Sequence, residues 1–318
     1  MIGGNRIHIY PTVVLAAVLS TLFYAADVGA QSQFPVTGKY PGGHVGLRGG
    51  ASPPPGIKHL AVFARFQDVY ALKDDNGNTV QDNNEDLFAD INVLVWNTHK
   101  KILGGTWGGL AAVPFNETIS RPYDLSTETS GFGLGDIVIA PWIIYYKWKE
   151  FDFQWGGGVW APTGHFEPGS THNRGNGYWC LLGSVGGVWY PGGDRRSWSV
   201  SAVARLEFNG KQKDTDIDVG DDIEVDWGIG KVFVAGGESF PLVFDVGISG
   251  FAEWQVTSQS GPLPEDSTPN YRVFGIGPEI HLNIPKWKLG FLLRVQPGFG
   301  ARNTSQANNF WFNVSYNF

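Results

Sequence analysis

The chain has few of the features on which many protein classes depend. Cys180 is its single cysteine, so the chain has no internal disulfide and offers no thiolate cluster for zinc. Only 17% of the 318 residues are charged, and the net charge of -7 is opposite in sign to the Lys- and Arg-rich surfaces that bind nucleic acid. After the N-terminal stretch, no segment approaches the ~20 apolar residues that a membrane-spanning helix needs. These absences argue against a disulfide scaffold, a zinc module, a nucleic-acid-binding protein and a helical membrane protein.

Glycine and aromatic residues are plentiful, and the chain ends on them with a period of two. It contains 44 Gly and 13 Trp, and 14% of its residues are aromatic. In the last stretch, 308–318, apolar side chains from Phe310 to Phe318 occupy one parity and mainly polar ones from Asn309 to Asn317 occupy the other. This alternation predicts a strand with one apolar and one polar face. Its end, with Tyr316 and Phe318, resembles the assembly signal of bacterial outer-membrane barrels, although an edge strand of a soluble sandwich has the same pattern.

Other segments decide between these two folds. In 197–208, 244–256, 274–283 and 288–296, charged residues and glycine keep to one parity and apolar residues to the other. A soluble sandwich has no reason to repeat this on its outer face in strand after strand. We therefore predict an all-β fold, a transmembrane antiparallel up-and-down β-barrel of outer-membrane type with about twelve strands. The predicted strands lie near 58–71, 87–96, 102–114, 133–147, 152–162, 177–190, 197–208, 222–233, 240–257, 271–283, 288–299 and 308–318.

The connections between these strands alternate in length. Short joints such as 97–101 and 148–151 alternate with long polar ones such as 74–86 and 163–176. Barrels of this kind pair short periplasmic turns with longer external loops, so both ends of the predicted barrel lie on the periplasmic side. The pattern predicts a protein of the bacterial outer membrane, surrounded by outer-membrane lipid and inserted by the barrel-assembly machinery.

Three regions divide the chain. Residues 1–30 have the basic start, the uncharged apolar run and the small final residues of a secretory signal peptide. Residues 31–56 form a Gly- and Pro-rich leader, in which Pro53, Pro54 and Pro55 are unable to join a sheet ladder. The leader lies in the periplasm or folds back into the lumen as a plug, and the sequence leaves both positions open. Residues 57–318 form the barrel.

Several short segments together resemble one family, the outer-membrane proteins of the meta-pathway of phenol degradation. The resemblance runs from the leader to the C-terminal region. It implies an outer-membrane barrel that moves small, often aromatic or hydrophobic compounds. The matching segments are Pro53–Gly56, Gly133–Asp136, Ala161–Gly164, Asn176–Trp179, Asp221–Asp226 and Val273–Glu279.

Inward-facing polar residues are the candidates for permeation. Acids outnumber bases among them. Either this excess makes the lumen favour cations, or, as we favour for any single residue, the charges form ion pairs that brace the barrel. Trp142, with Val138 and Ala140, adds a predicted apolar stripe, where an apolar solute or the leader would pack. On this reading, Trp142→Ala alters the permeation of apolar solutes. The candidates are Arg65, Asp90, Asp136, Trp142, Arg205, Glu207, Glu224, Asp226, Asp245, Glu253, Glu279, His281 and Arg294.

The predicted function is passive diffusion of small solutes, more apolar or aromatic than sugar-like, through the barrel. Catalytic, metal-binding and cofactor-binding residues are not predicted, and neither is a nucleic-acid partner. His165 and His172 share an external loop with Glu167 and Ser170, which makes an outer-membrane lipid hydrolase one alternative. A barrel that transports nothing and binds a partner through its external loops is another.

Overall fold

The computed structural model describes residues 38–120, 128–168, 170, 172–261 and 270–318. The predicted signal peptide, 1–30, and the first part of the leader, 31–37, lie outside the described residues. No helix in the described ranges is both long enough and apolar enough to cross a membrane. Strands dominate. They are β1 (Lys58–Lys73), β2 (Thr79–Ile102), β3 (Gly105–Ser120), β4 (Glu128–Thr129), β5 (Gly133–Leu134), β6 (Ile137–Lys147), β7 (Phe151–Ala161), β8 (Cys180–Trp189), β9 (Trp198–Asn209), β10 (Asp222–Ala235), β11 (Leu242–Gln255), β12 (Arg272–Ile284), β13 (Leu289–Arg302) and β14 (Thr304–Asn317).

Twelve of these strands, β1–β3 and β6–β14, form a closed antiparallel barrel, as predicted. Each pairs with its neighbours in the chain, and the ring closes where β14 pairs with β1. At this seam Leu60 lies opposite Tyr316 and Phe66 lies opposite Phe310. The two-residue strands β4 and β5 pair with β3 only. Closure leaves no unpaired edge, which is the condition for a sheet to cross a bilayer.

One external connection is shorter than predicted. The predicted long joint at 74–86 is wrong, because β2 already begins at Thr79. The carboxylate of Asp74 accepts hydrogen bonds from the main-chain N–H of Asn76 (2.9 Å) and Asn78 (2.7 Å) and from the Asn78 side chain (3.0 Å), which closes a tight turn. The Asn78 side-chain amide, with these main-chain donors, also holds the pKa of Asp74 below its usual value.

The last strand has the two faces that its sequence predicts. Phe310, Phe312, Tyr316 and Phe318 are exposed on the outside of the barrel, while the side chains of the other parity are buried inside. Trp311 is 1% exposed and is the one bulky aromatic side chain that β14 places in the lumen. The same inside–outside assignment holds along β9–β13.

The second strand, β2, reverses this assignment, and Asp90 is consequently outside. Arg65 points into the lumen opposite Ala89, so Asp90, which lies opposite Ala64 and Phe115, faces outward. The predicted lumen position of Asp90 is therefore wrong. The apolar parity of β2 packs into the lumen core, which leaves the polar parity outside. There, the Asn92 side chain donates a hydrogen bond to Asp90 (3.3 Å).

Trp142 is also outside, because β6 contains a bulge. Pairing with β7 moves from Ile139–Val159 to Trp142–Gly157, so two residues of β6 are opposed by one residue of β7. An inserted residue reverses the parity of everything after it. Pro141 occupies the bulge, and its carbonyl accepts a hydrogen bond from the indole N–H of Trp107 (2.9 Å). Trp142 is 42% exposed on the outer face, and its predicted place in the lumen is wrong.

Candidate functional site

The lumen contains the described part of the leader. At the external end, the N–H of Gly38 donates a hydrogen bond to the Tyr271 hydroxyl (2.8 Å). At the periplasmic end, the N–H of Gly56 donates to the carbonyl of Asn97 (2.8 Å), close to where β1 begins. Of the two positions that the sequence left open, residues 38–56 therefore occupy the one inside the barrel and act as a plug.

One side of the lumen is polar, and its carboxylates bind the main chain of the leader. Asp226 accepts hydrogen bonds from the N–H groups of Gly43 (2.9 Å) and Val45 (3.0 Å). Main-chain N–H groups of a buried segment that does not join the sheet must find acceptors elsewhere, and buried carboxylates supply strong ones. We call this side the polar wall. It consists of the inward side chains of β9–β13: Ser201, Arg205, Glu207, Glu224, Asp226, Asp245, Glu253, Glu279, His281, Arg294 and Gln296.

Two further carboxylates of the polar wall hold the leader in the same way. Glu207 accepts a hydrogen bond from the N–H of Lys39 (2.7 Å), and Glu279 accepts one from the N–H of Leu47 (3.1 Å). Both carboxylate side chains are buried, at 2% exposure. The main-chain contacts are therefore distributed along the leader from Lys39 to Leu47.

Arginines neutralise part of this acidic wall. Arg205 Nη1 lies 2.8 Å from Glu224 and 3.0 Å from Asp226. Arg294 donates two hydrogen bonds to Glu279 (2.7 and 2.8 Å). These five candidates are thus in ion pairs along the wall, and a buried pair of this kind is strongly destabilised when one partner is removed.

Two further carboxylates of the lumen form ion pairs with side chains of the leader. Lys39 forms an ion pair with Asp136, and Arg48 forms one with Asp245. Asp136 also accepts hydrogen bonds from the main-chain N–H groups of Gly164 and Asn176 (both 3.0 Å), which ties the β7–β8 loop to the leader. His281 hydrogen-bonds to Glu279.

The other side of the lumen is apolar. We call it the apolar wall, the inward side chains of β1–β3, β6 and β7. Two rings of the leader lie towards it: His44 is 4.4 Å from Phe63 between ring centroids, and Tyr40 is 6.4 Å from Trp160. The guanidinium carbon of Arg205 lies 3.8 Å from the ring centroid of Tyr40. The wall consists of Ala61, Phe63, Leu87, Ala89, Ile91, Val93, Leu110, Ala112, Val138 and Trp160.

The periplasmic end of the leader is held by a cluster around Asp152, which strand parity places in the lumen, and Arg195, which the sequence did not indicate. Arg195 binds Asp152 through two nitrogens (2.8 and 2.7 Å), and Asp152 accepts a hydrogen bond from the N–H of Ser52 (3.1 Å). The hydrogen bond to Asp152 raises the pKa of Arg195, and burial raises that of Tyr190 beside it. Arg195 lies in a turn between strands, so no strand periodicity pointed to it.

A cavity of about 340 Å³ lies between the leader and the external mouth. Its floor is the leader from Gly38 to Gly42, and Trp160 of the apolar wall lines its side. Three of the predicted candidates, Arg65, Asp136 and Glu253, line it as well. The volume falls within the ~300–1,000 Å³ of small-molecule pockets, so a monocyclic solute has room there.

The external loop with two histidines is organised by turns. The Ser170 hydroxyl accepts a hydrogen bond from the main-chain N–H of His172 (3.1 Å), and the N–H of Glu167 donates to the Asn173 side chain (2.7 Å). The carbonyl of His165 accepts from two main-chain N–H groups further along the loop. Within the described ranges, no group of three or more His, Cys, Asp or Glu side chains is arranged to hold a metal ion.

Comparison with protein families identifies the group to which this barrel belongs. The family described as "Putative MetA-pathway of phenol degradation" matches residues 71–314, well over half of the chain. The chain belongs to this family. The matched residues begin within β1 and end within β14, so the match covers nearly the whole barrel. The resemblance indicated by the short motifs is thereby confirmed.

One solved structure shows the same fold at low sequence identity, and a second is a weaker match. An outer membrane channel from Pseudomonas putida F1 is 12% identical, with a TM-score of 0.66 over 84% of this chain and 97% of that chain. The β domain of the Bordetella autotransporter BrkA is 9% identical, with a TM-score of 0.46 over 83% of this chain and 100% of that one. A search of curated proteins finds no match. The closed barrel with its apolar outer face places this family member in the bacterial outer membrane, as predicted.

Proposed function

We propose that this protein is a channel for small apolar or aromatic solutes, which diffuse along the apolar wall. The observation that carries the proposal is the orientation of β2, whose apolar face points into the lumen, whereas the apolar faces of β9–β14 point outward. Its apolar side chains Leu87, Ala89, Ile91 and Val93 face the lumen, where a general water-filled pore has polar ones. An apolar surface inside a membrane barrel serves solutes that leave water readily.

The cavity gives such a solute its first position. It is open between the external ends of the strands and the leader, and Leu87, Ile91 and Trp160 line it together. Beyond this point the leader fills the lumen. Passage to the periplasm therefore requires the leader to move away from the apolar wall, where Tyr40 and His44 touch it.

Liposome swelling with purified protein tests the preference. Methyl β-glucoside and phenyl β-glucoside share a sugar that crosses lipid slowly, and they differ only in the apolar group. The channel is expected to admit the phenyl compound faster, although it is the larger of the two. Trp160→Ala, which shortens the apolar wall, is expected to reduce this preference. A faster rate for the methyl compound contradicts the proposal, because size alone would then set permeation.

The proposal is of a channel and not of an enzyme. In the external loop, the Ser170 hydroxyl accepts a hydrogen bond from the main-chain N–H of His172. Release of fatty acid from mixed micelles by purified protein, lost in Ser170→Ala, would favour the lipid hydrolase instead.

A further inference from the structure

Two arginines at the external cavity have no acidic partner. Arg65 and Arg174 both line it, and among the described residues no carboxylate oxygen lies within 4.0 Å of either guanidinium group. The lumen cations Arg48, Arg205 and Arg294, by contrast, are each paired with a carboxylate. The cavity therefore presents two guanidinium groups that form no ion pair with any carboxylate in the described part of the chain.

Arg65 is fixed by neutral groups. Its Nε and Nη2 donate to the side-chain oxygen of Asn309 (3.3 and 2.9 Å), and its guanidinium carbon lies 5.2 Å from the ring centroid of Trp311. The amide and the indole orient the guanidinium without neutralising it. The planar fork of N–H donors in a guanidinium group matches the geometry of an oxyanion such as a carboxylate.

Arg174 is held by main-chain carbonyls. Its Nη1 donates to the carbonyl of Ser130 (2.6 Å), and its own carbonyl accepts from the Asn116 side chain (3.0 Å). Its Nε is buried and has no hydrogen-bond partner. A buried donor of a charged group without a partner costs free energy, and an anion bound beside it would remove that cost.

The strand register places Arg65 two strands away from Asn116, whose side chain donates to the main-chain carbonyl of Arg174. Arg65 on β1 lies opposite Ala89 on β2, which lies opposite Asn116 on β3. Neighbouring strands are ~4.8 Å apart, so Arg65 and Asn116 are about 10 Å apart along the wall. Between them lies the small side chain of Ala89, which leaves space for a ring against the apolar wall.

Three acids, Glu85, Asp136 and Glu253, also line the cavity, and none lies within 4.0 Å of either guanidinium group. Asp136 is taken by Lys39. Glu253 packs on the leader at Gly42, where an added Cβ would overlap its carboxylate. A cationic solute would meet the arginines unfavourably, and a neutral one would leave them without an anion.

We infer that this cavity is a binding site for a small aromatic or aliphatic carboxylate, whose charged group pairs with Arg65 or Arg174 and whose apolar body lies on the wall beside Ala89 and Trp160. The inference rests on the proposed channel function and names the substrate class of the same lumen. It makes the external cavity a point of selection for apolar anions.

Calorimetric titration of the full barrel in detergent tests the site with benzoate, benzyl alcohol and acetate as probes. Benzoate is expected to bind at least tenfold more tightly than benzyl alcohol, which lacks the charge, and than acetate, which lacks the ring. Arg65→Gln and Arg174→Gln are each expected to weaken benzoate at least fivefold, and together to abolish its advantage over benzyl alcohol. Arg196→Gln removes the same charge at an exposed periplasmic turn and is expected to change nothing.

Benzyl alcohol also reports the integrity of the cavity, because its binding should survive both substitutions. The inference is overturned if benzoate and benzyl alcohol bind equally, if acetate binds as tightly as benzoate, or if the double variant keeps the preference for benzoate. The swelling rates of the two glucosides involve no charged solute. A phenyl preference without benzoate binding would therefore refute the carboxylate site and leave the channel intact, whereas loss of the phenyl preference would refute the channel.

Discussion

A methyl group on Gly46 should loosen the plug. Gly46 lies in the leader against the polar wall, and a Cβ built on it would overlap the carboxylate of Glu279 and lie 2.7 Å from Arg294 Nη2. Glu279 and Arg294 are both buried and bind each other through two hydrogen bonds, so neither side chain has room to swing away. The leader is the part that must move.

The magnitude follows from the hydrogen bonds that meet at this point. Leu47 N–H donates to Glu279 (3.1 Å), the Ser201 hydroxyl donates to the carbonyl of Gly46 (3.0 Å), and Arg48 N–H donates to that hydroxyl (3.1 Å). A bond to a charged group contributes about 1.5–3 kcal/mol and a neutral one about 1 kcal/mol. Loss of the first and one of the others removes roughly 3 kcal/mol, which raises the population with a displaced leader about a hundredfold.

Trypsin and glucoside uptake measure this displacement in Gly46→Ala. Lys39 and Arg48 lie inside the folded barrel, so cleavage after either residue reports that the leader has left its site. We expect faster cleavage at both positions and faster swelling with phenyl β-glucoside. Gly237→Ala is the matched control, because an added Cβ at Gly237 meets nothing within 4 Å. Wild-type cleavage and swelling rates in a correctly folded Gly46→Ala barrel would refute the reasoning.

Two further predictions concern the outer face of the barrel. Deletion of Phe318 should lower the amount of heat-modifiable barrel in outer-membrane fractions more than it lowers the stability of refolded protein; normal membrane levels would show that the last strand carries no assembly signal. Trp142→Ala should leave the uptake ratio of the two glucosides unchanged, because Trp142 faces lipid, whereas Trp160→Ala should shift it; a shift in the Trp142 variant alone would place that ring in the solute path.

Strand periodicity predicted the barrel and its polar wall well, for a physical reason. In β9–β14 the outer face meets lipid and the inner face meets the leader's main chain, so apolar and polar residues must alternate. Arg205, Glu224 and Glu279 were therefore assigned to the lumen from parity alone, and they lie there. The seam between β14 and β1 followed from the same rule.

Strand parity predicted the wrong side where the apolar residues of a strand do not all face lipid. In β2 the lumen face is apolar, so the polar residue Asp90, which lies on the outer face, was wrongly predicted to face the lumen. In β6 the bulge at Pro141 shifted the register by one residue, and a single sequence shows no sign of which proline bends a strand and which ends it. Because of this one inserted residue, Trp142 faces lipid, whereas parity had predicted that it faces the lumen.

The composition of the leader accounts for the excess of acidic side chains in the lumen. A Gly- and Pro-rich segment does not join the sheet, so its buried N–H groups need acceptors from side chains. Asp226, Glu279 and Glu207 supply them, and Asp245 pairs with the leader's Arg48. The negative charge that suggested a cation-preferring pore therefore serves the plug. Selection of solutes is left to the apolar wall and to the arginines at the external cavity, where the acids are few and already occupied.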